Sequence, residues 1–304
     1  MRALVLSGGG GHGAYQAGAL SHILGDLRIH YDAVVGVSVG AINGLSVAMF
    51  RRGDEGRASA ALESMWGEIR TRDVVRPRFL QPLSLLWSSS THSTDPLRSY
   101  LDERLDIDRL RSSGKAYRAV AVDVRTGRFT TWTENHEREE LLRGVMASSA
   151  SPILHPPIDH AGRLMYDGGI RTVTPTRQAI ALGATELDVI VTRPSELPDW
   201  PEDVHRDTDE IPSDRIWHTG PRVLEIMTTE LIEGDLRSVR LYSELVAAGL
   251  APGKRQVRLR VLRPREVLPG DPSRFDPNDV RAAMLIGRRD AVRQGGWNSN
   301  RRRR

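Results

Sequence analysis

A serine flanked by glycines is the first feature of this sequence that can carry chemistry. Ser38 lies within Gly36-Val37-Ser38-Val39-Gly40, which has the G-x-S-x-G form of a nucleophile elbow. An apolar segment precedes the motif and small residues follow it, so the sequence predicts a buried strand that turns sharply into a helix. Ser38 would then lie at the helix N-terminus, where the helix dipole favours developing negative charge. The alternative interpretation is that Ser38 only caps this helix.

A run of glycines follows the first predicted strand. The segment Gly8-Gly9-Gly10-Gly11-His12-Gly13 can aim several backbone N–H groups at one point, as an oxyanion hole requires. It also matches the G-x-G-x-x-G fingerprint of dinucleotide-binding folds, which need an acidic residue at the end of the second strand. Asp32 has about the right spacing, but it begins the next apolar run instead of ending it. The sequence therefore favours the oxyanion hole and leaves a nucleotide-binding module as the alternative.

An aspartate near the middle of the chain is a candidate general base. Asp167 precedes Gly168-Gly169 at the end of a short predicted strand. An aspartate before two glycines is usually only a turn residue. Its interest lies in the combination with the other two motifs, because acyl transfer through a serine needs a nucleophile, a base and oxyanion donors.

The order of the motifs resembles that of the patatin-like phospholipase family. The glycine-rich loop, the serine motif, the segment Ala147-Ser148-Ser149-Ala150-Ser151-Pro152 and the aspartate motif follow one another along residues 3–192. The resemblance is tightest over four segments, which are Leu4–Leu20, Val34–Gly44, Ala147–Pro157 and Tyr166–Pro175. It implies an α/β fold, a three-layer α/β/α sandwich with a central, mostly parallel sheet.

The same resemblance implies a serine–aspartate dyad with no catalytic histidine, no metal and no other cofactor. Ser38 would be the nucleophile and Asp167 the base. His12 stands where the family usually has arginine or lysine, and a protonated His12 would be an auxiliary group that stabilises the anion. The residues that the resemblance assigns to the oxyanion hole are Gly9, Gly10 and Gly11.

A serine–histidine–aspartate triad is the alternative mechanism. In hydrolases of that type the histidine follows the acid in the chain, and only His205 and His218 do so here. Both lie in or beside an acidic, proline-rich segment, which is a poor place for a rigid base. A further polar group, His155, Asp159 and His160, is interpreted as a structural loop and not as a metal site, because no third histidine or glutamate follows at helical spacing.

Alternating strand-like and helix-like segments indicate an α/β fold. The predicted strands are 2–7, 33–37, 116–124, 128–132, 164–166, 187–191 and 255–262. The predicted helices are 13–24, 39–51, 54–70, one that begins at Asp95, 137–147, 175–183, 217–247 and 277–293. We expect one domain over residues 1–293, with an acidic, proline-rich surface loop at 193–214 and a basic, disordered tail at 294–304.

The composition is that of a globular protein without disulfides. The 304 residues are 39% hydrophobic and 27% charged, and none is cysteine. Basic residues do not alternate with aromatic ones, so we expect no nucleic-acid partner. The chain begins with a predicted strand instead of a secretion signal, and we therefore expect a cytoplasmic protein.

Two segments are candidates for peripheral contact with a membrane. Residues 79–87 are largely apolar and include Trp87, which suits an acyl-chain wall or an interfacial lid. The basic residues Arg301–Arg304 can attract anionic lipid headgroups. The respective alternatives are an ordinary buried segment and a solvated tail. The sequence does not determine the oligomeric state.

Together these features predict a serine hydrolase that cleaves carboxylic esters of phospholipids or related glycerolipids. An acyltransferase or a thioesterase would use the same residues with another acceptor or donor. A lipid-binding protein without catalytic activity is a further alternative. The sequence does not determine the headgroup, the acyl position or the chain length.

Overall fold

A central sheet with helices on both faces forms the fold. The computed structural model describes residues 1–74, 76–77, 92–152, 154–197 and 216–297. The strands in these residues are β1 (Arg2–Leu6), β2 (Ala33–Gly36), β3 (Arg76–Pro77), β4 (His92–Ser93), β5 (Ala116–Asp123), β6 (Phe129–Thr133), β7 (Ile158–His160), β8 (Arg163–Asp167), β9 (Glu186–Ile190) and β10 (Arg258–Leu262). The α-helices are α1 (Gly13–Leu20), α2 (Val39–Ala48), α3 (Glu55–Glu68), α4 (Thr71–Val74), α5 (Asp95–Asp102), α6 (Ile107–Ser112), α7 (Arg138–Ser148), α8 (Thr176–Ala181), α9 (Ile216–Ala247) and α10 (Pro277–Gln294).

The main sheet is mixed, and its largest part is parallel. The strands follow the order β10-β9-β1-β2-β5-β8-β7, with β6 also paired to β5. Strands β10, β9, β1, β2 and β5 run parallel to one another, whereas β6, β7 and β8 form the antiparallel pairs. The prediction of a mostly parallel sheet is therefore confirmed.

The first strand shows why the fold has three layers. Its apolar residues are buried on both sides, as is typical of a strand in a covered parallel sheet. Leu4 and Leu6 pack into the core that contains α1, α2, α3 and α7, whereas Ala3 and Val5 pack into a second core that contains α8 and α9. Because successive side chains of a strand point to opposite faces, one strand contributes to both cores. The predicted α/β/α sandwich is confirmed.

Several predicted boundaries differ from those in the structure, and two of the differences have a clear physical cause. Strand β10 begins at Arg258 and not at residue 255, because its partner β9 begins at Glu186 and the backbone N–H of Arg258 donates to Thr185 just before it. The predicted disordered tail starts too early, since Trp297 is 1% exposed and its indole N–H donates to the Ala291 carbonyl at 2.8 Å. Trp297 packs at the end of α10, whereas the basic residues that follow it in the sequence are typical of a solvated tail.

Several predictions concern segments outside the described residues. These include the apolar candidate at 79–87, most of the acidic loop at 193–214 with His205, and the basic run Arg301–Arg304. Within the described ranges, no helix has both the length and the apolar character needed to cross a bilayer. The same ranges contain no group of three or more His, Cys, Asp or Glu residues placed to hold a metal ion.

Candidate active site

Ser38 occupies a strained turn between β2 and α2. Its backbone has a φ of 56° and a ψ of −134°, which residues other than glycine rarely adopt. A Cβ added to Gly36 would lie 2.1 Å from the carbonyl oxygen of Gly40, and one added to Gly40 would lie 2.3 Å from that of Leu6. Only glycine fits at either position, because both contacts are with backbone. The Ser38 hydroxyl does not cap α2, so the turn has the geometry of a nucleophile elbow.

Strand β5 brings Ser38 and Asp167 together. β2 ends at Gly36, which pairs with Ala119 of β5. Strand β8 then takes the same edge of β5, because β6 occupies the other edge, and Asp167 at the end of β8 pairs with Ala121. Two residues of β5 span about 7 Å, and Ser38 lies two residues beyond Gly36. The register therefore places the serine directly beside the aspartate.

The Ser38 side chain lies beside the Asp167 carboxyl and favours its ionised form. Asp167 is 7% exposed, and its burial, which disfavours the charged form, raises the pKa of the carboxyl to about 6. The N–H of Gly169, 2.7 Å from Oδ1, and the Ser38 hydroxyl act in the opposite direction. At neutral pH the carboxylate is ionised, and its basicity is better matched to the working pH than that of an ordinary aspartate.

The last residue of α7 and the segment that follows it fix the backbone of both Ser38 and Asp167. The N–H of Ser38 donates to the carbonyl oxygen of Ser148 at 3.0 Å and to its Oγ at 3.1 Å. The Ser148 hydroxyl in turn donates to the Val120 carbonyl at 2.7 Å. The N–H of Asp167 donates to the Ala150 carbonyl at 2.9 Å. This segment therefore sets the distance between the serine and the aspartate.

The glycine loop contains both engaged and available donors. The N–H of Gly11 donates to the Pro272 carbonyl at 2.7 Å, so it is not available to an oxyanion in this structure. The N–H groups of Gly9 and Gly10 have no acceptor among the residues that the structure describes. Gly9 has a φ of 154° and Gly10 a φ of 55°, conformations that favour glycine. Of the three predicted donors, these two remain available.

His12 does not supply a cation at neutral pH. Its Nε2 lies 3.1 Å from the carbonyl oxygen of Gly270. Burial lowers the pKa of the imidazole, and the nearby Arg193 lowers it further, although the Gly270 carbonyl opposes both effects. A neutral imidazole that donates to Gly270 is the consequence. The auxiliary role predicted for His12 requires a proton that this environment disfavours.

Comparison with known proteins identifies the family. A family model described as Patatin-like phospholipase matches residues 4–180, which is more than half of the chain. The chain belongs to the patatin-like phospholipase family. The matched region contains the glycine loop, the serine turn, the segment after α7 and the aspartate.

Two known proteins with similarity to this patatin-like chain can be named. The first is the uncharacterized protein YjjU of Escherichia coli (strain K12), which is 27% identical over 210 residues, or 65% of this chain and 54% of YjjU. The chain thus spans about half the length of this curated relative. The second is the crystal structure of VipD from Legionella pneumophila, which covers 98% of this chain and 67% of VipD with a TM-score of 0.47 and 14% identity.

A buried polar network supports the glycine loop of this patatin-like site, and the sequence analysis missed it. The side-chain amide of Gln16 donates to the Ser7 carbonyl at 2.8 Å, and that of Asn43 donates to Gln16 Oε1 at 2.9 Å. The Trp66 indole N–H donates to Asn43 Oδ1 at 2.9 Å. The hydroxyl of Thr192 donates to the Gly8 carbonyl at 2.7 Å. The available signal was the presence of an amide side chain within an otherwise apolar or small-residue helix.

Asp235 of α9 is a second residue that the sequence analysis missed. Its Oδ2 accepts four hydrogen bonds, all from the segment that follows Asp167: the backbone N–H groups of Val173 and Thr174, and the hydroxyls of Thr172 and Thr174. Burial raises the pKa of Asp235, and these four donors oppose that effect. Asp235 therefore ties the segment after Asp167 to α9. No local signal distinguished it from the other acidic residues of a long helix.

Proposed function

We propose that this chain is a serine acyl hydrolase that cleaves carboxylic ester bonds of phospholipids or related glycerolipids. The observation that carries the proposal is the position of Ser38, in its strained turn, beside the buried carboxyl of Asp167, whose ionised form it favours. Family membership supports a lipid ester as the substrate. The dyad geometry supports covalent catalysis by the serine.

The proposed acylation step uses all three parts of the site. Ser38 Oγ forms a bond to the ester carbonyl carbon while its proton moves to Asp167. The N–H groups of Gly9 and Gly10 stabilise the oxyanion, and the dipole of α2, which begins directly after Ser38, adds to this effect. The tetrahedral intermediate then breaks the bond to the alcohol, which leaves with the proton from Asp167. An acyl-enzyme remains on Ser38.

Water completes the cycle in the proposed reaction. Asp167 accepts a proton from the water as its oxygen bonds to the acyl carbon, and the bond to Ser38 Oγ breaks. Ser38 regains a proton and a fatty acid is released. An acyltransferase or a thioesterase would differ only in the acceptor or the donor. Product analysis with phosphatidylcholine, in the presence and absence of glycerol, separates free fatty acid from transferred acyl groups.

The position of Asp32 argues against the nucleotide-binding alternative. Its carboxylate accepts a hydrogen bond from the backbone N–H of Arg2 at 2.8 Å, at the start of β1. The glycine loop follows the opposite end of β1, so Asp32 lies at the wrong edge of the sheet to bind a ribose held by that loop. We therefore retain a hydrolase as the proposed function.

Covalent labelling tests the proposed nucleophile. A fluorophosphonate probe is expected to modify the intact protein, and peptide mapping is expected to place the modification on Ser38, because a serine activated by a base attacks such probes. Ser38→Ala should abolish labelling. The matched control Ser46→Ala, a serine of the same helix whose hydroxyl contacts Met65 Sδ, should label normally. A folded protein that fails to label, or that labels at another serine, would overturn the proposal.

The raised pKa of Asp167 predicts the pH dependence of catalysis. Because the base must be deprotonated to accept the serine proton, kcat/KM is expected to rise with pH through about 6 and to level off above it. An ordinary aspartate would instead place this rise near pH 4. The measurement is hydrolysis of a soluble short-chain ester between pH 4 and 9. A rate that is already constant from pH 4 upward would contradict the assigned base environment.

A further inference from the structure

Helix α9 has two halves with different surroundings. In the second half, Ile232, Leu236 and Val239 are buried in the core beneath the sheet. The Ser243 side chain hydrogen-bonds the backbone of Val257, at the start of β10, which places that end of the helix beside the N-terminal end of the strand.

The first half of α9 extends beyond the sheet. Arg263 follows the last residue of β10 and bonds Glu233 at 2.6 Å, so α9 runs antiparallel to β10. Residues before Glu233 therefore project past the C-terminal edge of the parallel strands. Arg193, which follows β9, contacts Glu225 at 3.3 Å in this projecting part. This is the edge at which Ser38 lies.

Most of the exposed side chains that the structure describes in the projecting half are apolar, and the exception is Glu230. Val223, Leu224, Ile226 and Met227 are 51%, 57%, 44% and 56% exposed. In the half that packs on the sheet, four of the seven exposed positions are polar or charged, namely Arg237, Ser238, Arg240 and Glu244. The other three are Leu241, Leu245 and Ala247. Four neighbouring exposed apolar side chains on one helix are unusual for a surface in water alone.

A second apolar surface lies on the other side of Ser38. Val124 follows β5, and its N–H donates to the carbonyl of Leu164 in β8 at 2.9 Å. Val124, Leu164 and Ile170 are 52%, 50% and 47% exposed. Helix α9 packs on β9 and β10, at one end of the sheet order. Val124, Leu164 and Ile170 lie on or next to β5 and β8, towards the other end. The serine between them lies at the end of β2.

Exposed arginines accompany this second surface. The guanidinium of Arg171 bonds the Gly127 carbonyl and stacks 4.8 Å from the ring centroid of Phe129, which holds it beside the β5–β6 turn. The exposed arginines at this end of the molecule are Arg125, Arg128, Arg163 and Arg171. Their positive charge complements an anionic surface.

We propose that these two surfaces together dock the protein onto a lipid bilayer that contains anionic headgroups. We call them the flanking surface, defined as Val223, Leu224, Ile226 and Met227 on α9, and Val124, Leu164, Ile170 and the four arginines around the β5–β6 turn. The apolar side chains enter the headgroup region while the arginines contact lipid phosphates. The inference rests on the proposed function, because docking in this orientation brings Ser38 to lipid esters.

Vesicle binding by the Ser38→Ala protein tests the apolar part without hydrolysis. Sedimentation with phosphatidylcholine vesicles that contain phosphatidylglycerol is expected to show about tenfold weaker binding for Val223→Ser/Met227→Ser. The matched control Leu241→Ser/Leu245→Ser changes two exposed apolar residues of the same helix, 54% and 40% exposed, away from the flanking surface. It should bind like the parent. Equal binding by both double variants would overturn the proposal.

Charge reversal tests the basic part of the flanking surface. Arg125→Glu/Arg128→Glu is expected to weaken binding to the anionic vesicles by roughly tenfold or more, because each arginine near such a surface contributes a several-fold effect. Vesicles of phosphatidylcholine alone should bind weakly and show a smaller difference. The control Arg237→Glu/Arg240→Glu reverses the same charge on the packed half of α9 and should have little effect. Equal losses for both pairs would indicate general electrostatics and would overturn the assigned surface.

Two further measurements separate this proposal from its competitors. Sedimentation velocity of the parent protein tests whether a second copy covers the α9 face; a dimer that Val223→Ser/Met227→Ser dissociates would overturn the lipid assignment. Hydrolysis of a soluble short-chain ester by the parent tests the proposed function separately. If the parent binds vesicles through the flanking surface but hydrolyses no ester, the proposed function fails while the docking surface stands.

Discussion

Replacement of Asp167 with asparagine is expected to reduce kcat for ester hydrolysis by about 10⁴-fold, close to the loss caused by Ser38→Ala. Asparagine cannot accept the serine proton. Among the residues that the structure describes, no second base contacts the Ser38 side chain. The variant keeps the side-chain oxygen that receives the Gly169 N–H at 2.7 Å. The change therefore removes basicity more than it alters geometry. Steady-state hydrolysis of a soluble ester measures the effect.

The same variant is expected to be at least as stable as the parent at neutral pH. The pKa of Asp167 is about 6 in the folded protein, above the usual value of 3.8. Because the pKa is raised, the protonated carboxyl stabilises the fold when the pH is below the pKa of the unfolded chain, and this contribution disappears as the pH rises through 6. The free energy of unfolding changes by about 3 kcal/mol between these two limits. Asparagine mimics the protonated form at every pH. Thermal unfolding should favour Asp167→Asn at pH 8 and show no such advantage below pH 4.

Histidine variants provide the control for the proposed dyad. His205→Ala and His218→Ala are expected to retain most of the activity, because the proposed mechanism uses no histidine as a base. His205 lies outside the described residues and His218 lies near the start of α9. A folded His218→Ala protein without activity would reject the dyad, and so would an Asp167→Asn protein with nearly full activity.

Substitution of Gly40 with alanine is expected to destabilise the protein by about 3 kcal/mol or more. Helix propensity alone predicts the opposite sign, since alanine is favoured over glycine in a helix by about 1 kcal/mol. Gly40 is the second residue of α2, and its added Cβ would lie 2.3 Å from the Leu6 carbonyl oxygen and 2.6 Å from that of Ser7. The start of α2 would have to move away from the end of β1. Because Ser38 lies at this junction, activity should fall as well.

A matched substitution in another helix isolates this close contact. Gly234 lies inside α9, and apart from the adjacent backbone of the helix itself no atom lies within 4 Å of its added Cβ. Gly234→Ala should therefore raise the free energy of unfolding by about 0.5–1 kcal/mol. The measurement is the melting temperature of each variant by thermal unfolding. Gly40→Ala should lower it by about 6 °C or more relative to the parent. A Gly40→Ala protein as stable as Gly234→Ala would contradict the tight junction between β1 and α2.

The elements around the glycine motifs were predictable because their signals are local. The apolar run before Ser38 indicates a buried strand, and the small residues after it indicate a helix that lies close to its neighbours. Strand β10 was placed with less accuracy, since its first paired residue depends on where β9 begins. The sequence indicates a loop where the short strand β7 lies, because three residues are too few to show the alternation of a strand.

The candidate site was predictable only in part. Ser38, Asp167 and the glycine loop are visible as motifs, and their catalytic roles remain predictions. Gln16 follows the glycine loop closely, and its only local signal is that it is an amide in an otherwise apolar helix. Asp235 supports the site from a distant part of the chain, and nothing in its immediate neighbours indicates that function. The hydrogen bond from the Gly11 N–H to the Pro272 carbonyl could not be predicted either, because the two residues are more than 250 positions apart in the chain.

By itself, the sequence determined which chemical groups are present. It also determined that the serine and the aspartate lie in sharp turns, because glycines flank them. These properties depend on neighbouring residues, for which steric limits on the backbone leave few conformations. Only the tertiary structure decided that Asp167 meets Ser38, because the pairing of β2 and β8 with one edge of β5 sets that distance. It also decided the raised pKa of Asp167, since desolvation comes from the whole surrounding fold and not from adjacent residues.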